Sequence, residues 1–209
     1  MIFRAFSTEP SINDTDTLCQ HYLTILYHEV QQKNPIITGN LCETYGEILY
    51  PSVNKLLSAI QLSDADVFVD YGSGVGKMLI QVFLKTVVKE AYGIEIVPEL
   101  HQQALNAAQR LQQELPDFYQ NNRKLTFWLG NFLEIPIPSA TVAIIVSTCF
   151  SQPLLNALGK IIEATPSIHT VLSLRPVSTL QRLPFKKAIA VECSWDSALC
   201  YIYSTKTVT

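Results

Sequence analysis

Short, almost wholly apolar runs alternate along this chain with longer segments whose apolar residues recur every three or four positions. Residues 67–69, 92–96, 125–129, 142–146 and 170–174 are of the first kind and predict strands. Helices are predicted between them. One runs from Met78 to about Lys89. A second is opened by Pro98, with Leu100, Ala104, Ala108 and Leu111 inward, and a third carries Leu154, Leu155, Leu158, Ile161 and Ile162. Continuous apolar strands between amphipathic helices indicate a parallel sheet covered on both faces, an α/β fold. Ahead of this alternation, Leu18, Tyr22, Ile25 and Leu26 form a stripe that predicts a helix from about Asp16 to Lys33, stopped by Asn34-Pro35. Residues 1–15 read as a loosely held arm. Val53, Leu56, Leu57 and Ile60 mark another helix, opened by Pro51 and Ser52. The acids of Ser63-Asp64-Ala65-Asp66 read as turn-formers. At the far end, runs 188–193 and 198–203 are separated by only Ser194-Trp195-Asp196-Ser197, too short for a crossover helix, so they must pair antiparallel.

Composition narrows the class. With 209 residues, 48% hydrophobic and 16% charged, the chain has the length for one full core and a small extension. A formal net charge of -3 gives no basic surface, so strong nucleic-acid binding is not expected. The five cysteines (Cys19, Cys42, Cys149, Cys193, Cys200) are odd in number and lack a Cys-x-x-Cys spacing, so neither a zinc site nor a disulfide framework follows. A reducing compartment, the cytoplasm, is the expected location, with export on some other signal left open. No N-terminal apolar core suits a signal peptide, and the purely apolar runs fall short of a membrane span. His21 and His28 share a helix face but stand too far apart to grip one metal ion.

The chemistry concentrates after residue 69, in Asp70-Tyr71-Gly72-Ser73-Gly74-Val75-Gly76-Lys77. A strand, a tight glycine loop and a helix N-terminus in that order build a nucleotide-type site at the carboxyl end of a parallel strand. The spacing is not the dinucleotide fingerprint Gly-x-Gly-x-x-Gly, and no Gly-Lys-Ser/Thr completes a P-loop. Glu95 ends the next strand, where an acid accepts the two ribose hydroxyls of an adenosine ligand. Asp70 adds a negative charge that suits a cationic ligand better than a pyrophosphate. S-adenosylmethionine, with adenosine, a sulfonium cation and no phosphate, is the expected cofactor.

Five strands with crossovers plus a terminal hairpin is the topology of the class I methyltransferase (Rossmann-like) fold, a seven-stranded, mainly parallel sheet with helices on both faces. Within it the chain resembles the non-SET histone lysine methyltransferases named for disruption of telomeric silencing, from Tyr45 to about Thr207. Tyr45-Gly46-Glu47 matches the loop that covers the methionine end of the cofactor in that family. Phe68-Val69-Asp70-x-Gly72-Ser73-Gly74-Val75-Gly76 matches its cofactor loop, and Tyr92-Gly93-Ile94-Glu95 its ribose-binding strand. Gly130-Asn131-Phe132-Leu133 stands where the family reads adenine. Ser173-Leu174-Arg175-Pro176, Ser194-Trp195 and Tyr201-x-Tyr203 resemble its closing segments. The resemblance implies an N-terminal helical extension with the covering loop over residues 1–62 and a catalytic domain over 63–209. It implies cofactor contacts from Tyr45, Gly46, Glu47, Asp70, Gly72, Gly74, Gly76, Lys77, Glu95, Asn131 and Phe132.

The chain departs from the family in three places. Ser147-Thr148-Cys149-Phe150 replaces an Asn-Asn-Phe segment that positions the substrate amine, Lys77 replaces Gln, and Asn131 replaces an acid. No long basic segment of the kind that holds the family's enzymes on nucleosomes occurs in the sequence. Tyr45, Phe150 and Trp195 are expected as walls of a substrate channel, and Ser147 or Thr148 as acceptor of a hydrogen bond from the amine; the same residues would equally serve a core and a strand end. Arg175, Arg182, Lys186 and Lys187 form either a docking patch for an acidic surface or a solvated loop. The leading expectation is a protein (histone-type) lysine N-methyltransferase acting on a protein substrate such as a histone or nucleosome, without membrane association. The alternatives are a methyltransferase of a non-histone protein or small molecule, and a catalytically weak cofactor-binding protein.

Overall fold

The computed structural model describes residues 12–28 and 46–209. Seven strands form one sheet: β1 (Val67–Tyr71), β2 (Glu90–Glu95), β3 (Lys124–Leu129), β4 (Val142–Ile145), β5 (Thr170–Ser173), β6 (Phe185–Glu192) and β7 (Ser197–Ser204). Their order is β3-β2-β1-β4-β5-β7-β6. The strands from β3 to β5 are parallel, whereas β7 runs antiparallel to both β5 and β6, as the short connection requires. The chain turns outward in both directions from the β1–β4 pair, which opens a crevice at the strands' carboxyl ends.

Four helices, α1 (Ile12–Tyr27), α2 (Tyr50–Ala59), α3 (Lys77–Lys85) and α4 (Pro98–Glu114), bury apolar residues in one core layer. The opposite layer is made by α5 (Gln152–Glu163) with loop residues such as Ile137, Val177 and Leu183. Leu79, Ile80, Val82 and Phe83 of α3 are all fully buried, which explains the helix's nearly unbroken apolar sequence. Its one buried polar residue, Gln81, donates to the Tyr50 carbonyl and Asn54 Oδ1, both at 2.9 Å, and so ties α3 to α2. Asp16 joins three helices, accepting from Lys85, Tyr50 and Asn54 at 2.7, 2.6 and 3.1 Å.

Several boundaries differ from expectation. The first helix starts at Ile12 and ends at Tyr27, short of Lys33, and Asn34-Pro35 lies outside the described residues. α3 ends at Lys85 rather than near Lys89, because Thr86 turns extended and its hydroxyl donates back to the Val82 carbonyl at 2.7 Å. Asp66 is much more than a turn-former. Its buried carboxylate accepts from the Ser63 amide and hydroxyl and from Thr141 Oγ1, each at 2.8 Å, and lies 2.9 Å from His169 Nε2. Burial alone would raise its pKa, but the bonds from Thr141 and Ser63 outweigh it and hold the carboxyl at about 2. This hub locks the amino ends of β1, β4 and β5 together, at the opposite end of the sheet from the crevice. The C-terminus returns to α2, where Val208 bridges Ile60 and the Thr209 amide donates to the Ala59 carbonyl at 3.0 Å.

Candidate functional site

A cavity of about 650 Å³ fills the crevice at the carboxyl ends of β1, β2 and β4. Its floor is the glycine loop. The amides of Gly72 and Ser73 both donate to the Ile94 carbonyl, at 2.9 and 3.1 Å, which holds the loop against β2. Gly72 has φ +88° and presents its bare backbone to the cavity, with the Phe150 ring beside it. Gly76 lies beneath the loop and lines nothing. Its φ is +79°, and a Cβ there would stand 2.5 Å from the Phe127 ring, so the position is glycine for packing. Gly74 lines the cavity.

Glu95, at the end of β2, also faces the cavity. One oxygen accepts from the Gly74 amide at 2.8 Å, and the other accepts from Ile96 and Val97 at 2.9 and 2.8 Å. Three fixed donors orient a charge that the spacing already placed there. Asp70 is different. It is 2% exposed, lines the cavity, and its Oδ1 has no hydrogen-bond partner among the described residues. Burial first, and the Glu95 carboxylate second, push its pKa from 3.8 to about 7. Beside it, Ser73 Oγ is likewise buried without a partner.

The roof comes from the segment 46–49, which adds to the β6–β7 hairpin as a short antiparallel strand. Ile48 bridges Cys193, the Leu49 amide donates to the Glu192 carbonyl at 2.9 Å, and the Ser194 amide to the Glu47 carbonyl at 2.8 Å. Gly46 packs so closely on the Trp195 ring that a Cβ would lie 2.4 Å from it. Glu47 pairs with Lys77 at 2.7 Å across the cavity rim. Lys77 Nζ stands 5.9 Å from the centre of the Tyr27 ring, and the Tyr27 hydroxyl donates to the Val75 carbonyl at 2.8 Å. Thus α1 and the roof both fasten onto the glycine loop. Tyr45 lies outside the described residues.

On the remaining walls, Asn131 and Phe132 face the cavity from the loop after β3. The Asn131 side chain is occupied with its own turn, accepting from the Leu133 amide and donating to Glu134, both at 3.0 Å. Phe132 packs between Tyr71 and Phe150, with ring centres 6.0 and 5.4 Å away. Thr148, Phe150 and Trp195 line the cavity. Ser147 does not reach it; its fully buried Oγ lies 3.2 Å from Ser173 Oγ. Tyr50 and Gln81 line the cavity without having been singled out. A polar residue inside the apolar run of α3 was the available signal for Gln81.

The basic patch does not assemble. Arg182 donates to the carbonyls of Ile162, Thr165 and Ile168, where it closes the carboxyl end of α5. Arg175 binds the Phe150 carbonyl and Gln152, and Lys187 the Thr209 carbonyl. Among the described residues there is no His, Cys, Asp and Glu grouping that could hold a metal ion. No helix among them is long and apolar enough to cross a membrane.

Known proteins share this architecture. An RNA methyltransferase from Salinibacter ruber, solved with S-adenosyl-L-homocysteine, superposes with a TM-score of 0.54 at 21% identity, over 75% of this chain and 91% of that one. TrmK of M. capricolum, solved with S-adenosyl-homocysteine, gives 0.52 at 15% identity, over 77% and 70%. These likenesses show the class I methyltransferase fold. In sequence, the chain is 31% identical over 86 residues to a Drosophila melanogaster protein named "Histone-lysine N-methyltransferase, H3 lysine-79 specific". That match takes in 38% of this chain and 4% of the relative's own length. The profile of the family described as "Histone methylation protein DOT1" matches residues 39–189, the larger part of the chain, which takes in the glycine loop, residues 46–49 of the roof, Thr148 and Phe150 but not Trp195. The chain belongs to the DOT1 family of histone methylation proteins.

Proposed function

We propose that this chain is an S-adenosylmethionine-dependent methyltransferase that modifies a lysine amine on a protein, with histones as the first substrate class to test. The observation that carries this is the buried Asp70 carboxyl, whose Oδ1 has no partner among the described residues, facing a cavity beside the anchored carboxylate of Glu95. An orphan buried anion is costly unless a ligand supplies the partner. A cation with hydrogen-bond donors, not a phosphate, fits that demand.

When bound, S-adenosylmethionine supplies a methyl carbon already activated by its sulfonium. Glu95 would accept the ribose hydroxyls, first at the oxygen that holds only the Gly74 amide and keeps a free lone pair. Asp70 would hold the α-ammonium of the amino-acid end, under the roof of Gly46 and Glu47. Phe132 would support the adenine. The chain's task toward the acceptor is to hold it in line and strip its water. A lysine amine is neutral only about once in 2,500 at pH 7, and burial between Phe150 and Trp195 would lower its pKa. Thr148 offers a hydroxyl that can accept a hydrogen bond from the amine.

Incubation of the pure protein with methyl-labelled cofactor and three separate pools (nucleosomes, lysate protein, metabolites) tests the proposal. Label on lysine in the nucleosome pool supports the histone reading, and label confined to lysate protein moves the substrate to another protein. Label in metabolites overturns protein methylation. Cofactor binding without any label leaves a binding protein.

A further inference from the structure

The loop after β4 is held at both ends by one element. Residues 147–151 carry Thr148, Cys149 and Phe150 into the cavity wall. At the loop's start, the fully buried Ser147 Oγ lies 3.2 Å from Ser173 Oγ, which also accepts from the Arg175 amide at 3.4 Å. At its end, the Arg175 guanidinium donates to the Phe150 carbonyl and, at 2.7 Å, to Gln152 Oε1. The Phe150 amide closes the turn onto the Ser147 carbonyl at 3.1 Å, and Ser151 caps α5 by accepting from Leu154 at 3.3 Å. Between these anchors, the Thr148 and Cys149 side chains reach hydrogen-bonding distance only of each other among the described residues, at 3.9 Å.

Stability is a poor account of Arg175. Gln152 is the first residue of α5, so the guanidinium sits beside the positive end of that helix dipole, an unfavourable place for a cation. What the planar fork supplies is geometry, since two divergent donors fix a carbonyl and an amide oxygen together. We propose that Arg175 is a positioning residue, clamping the loop so that Thr148 and Phe150 face the acceptor. The kinetic part of this rests on the methyl-transfer reading; the structural part does not.

Cys149 supplies a probe independent of activity, because Cys19, Cys193 and Cys200 are buried while Cys149 is half-buried. The full chain and its Arg175→Ala, Arg175→Lys and Gln152→Ala variants would be alkylated with N-ethylmaleimide and the Cys149 peptide followed by mass spectrometry. Titration with S-adenosylmethionine and turnover on the labelled pool complete the measurement. In Arg175→Ala, Cys149 should alkylate about tenfold faster, through easier local opening. The catalytic constant should fall about ten- to a hundredfold, as for a misplaced acceptor wall. The cofactor dissociation constant should stay within about twofold, and Arg175→Lys should lie between, keeping a single donor. A folded Arg175→Ala with unchanged alkylation and unchanged turnover overturns the clamp. Should that variant fail to fold, Gln152→Ala decides: faster alkylation at unaltered cofactor affinity sustains the clamp, and an unaltered rate overturns it. Should the wild type label no pool, the methyl-transfer reading fails and alkylation alone judges the clamp.

Discussion

Replacing Asp70 with asparagine keeps the side chain's shape and removes its charge. The pKa of this carboxyl moves from 3.8 to about 7 on burial beside Glu95. That interval corresponds to roughly 4 kcal/mol between the two protonation states, taken as an upper figure. The sign follows from linkage. Between pH 4 and 7 the folded chain retains a proton that the unfolded chain has released. The ionised carboxyl therefore penalises the fold increasingly as pH rises through this window, and fully above pH 7. Asparagine removes the penalty but leaves an amide where Oδ1 finds no partner, at a cost of about 1–3 kcal/mol. Asp70→Asn should thus be more stable than wild type by about 1–3 kcal/mol at pH 8 and no more stable at pH 4. Urea unfolding of both proteins at pH 4, 6 and 8 measures the difference. Asp66, held at about 2, and His169, lowered first by burial, titrate in both proteins and cancel. A difference that does not change with pH would refute the argument.

Cofactor binding should report the same carboxyl with the opposite sign. A bound cation favours the ionised form, so binding below pH 7 expels a proton. Affinity at pH 5.5 should be about 30-fold weaker than at pH 8, and calorimetry in buffers of different ionisation enthalpy should register close to one proton released. Glu47, Lys77 and Glu95 face the same cavity in both proteins, so the slope lost in Asp70→Asn belongs to Asp70.

Three further substitutions test the rest of the site. Glu95→Ala removes the acceptor of three backbone amides and of the ribose; affinity for S-adenosylmethionine should fall about 30- to 150-fold by calorimetry, and an unaltered value would mean the acid does not hold the ribose. Gly46→Ala places a Cβ 2.4 Å from the Trp195 ring, so the indole must move; tryptophan fluorescence should shift and the Michaelis constant for the acceptor rise about tenfold. Tyr27→Phe leaves the Val75 carbonyl without its donor, costing about 1–2 kcal/mol, or roughly 2–8 °C in Tm by calorimetric scan.

The sheet was legible because its parallel strands are buried on both faces, so their runs are apolar without interruption. The floor of the cavity was legible because Asp70, Gly72, Gly74 and Glu95 stand at fixed offsets from strand ends. What failed to show depends on partners distant in sequence. Arg175 and Arg182 read as surface cations, but their guanidiniums serve carbonyls of the loop after β4 and of α5. Asp66 read as a turn acid, while its partners Thr141 and His169 come from the starts of other strands. Ser147 and Thr148 could be separated only by parity. Side chains alternate along an extended chain, so Val146 and Thr148 face the cavity while Ile145 and Ser147 are fully buried.

That parity bears on whether the site has decayed or has been rebuilt. A polar side chain left behind by decay strands a buried group, at about 1–3 kcal/mol. At three of the positions where the chain departs from its family's pattern, the side chain is instead engaged. Lys77 holds Glu47, Asn131 closes its own turn, and Ser147 meets Ser173. Among the described residues, the carboxylate that faces the cavity from the end of β1, Asp70, has a buried Oδ1 without a partner, which a cationic cofactor would satisfy. Satisfaction at the altered positions and want of it at the cofactor floor are the pattern of a site that still binds. The acceptor wall is consistent with this: a shorter hydroxyl at Thr148 stands where an amide would, on a loop clamped by Arg175. Under the proposed methyl transfer, one hydroxyl would orient an amine but stabilise little charge, so slow turnover, rather than none, is the outcome the proposal expects.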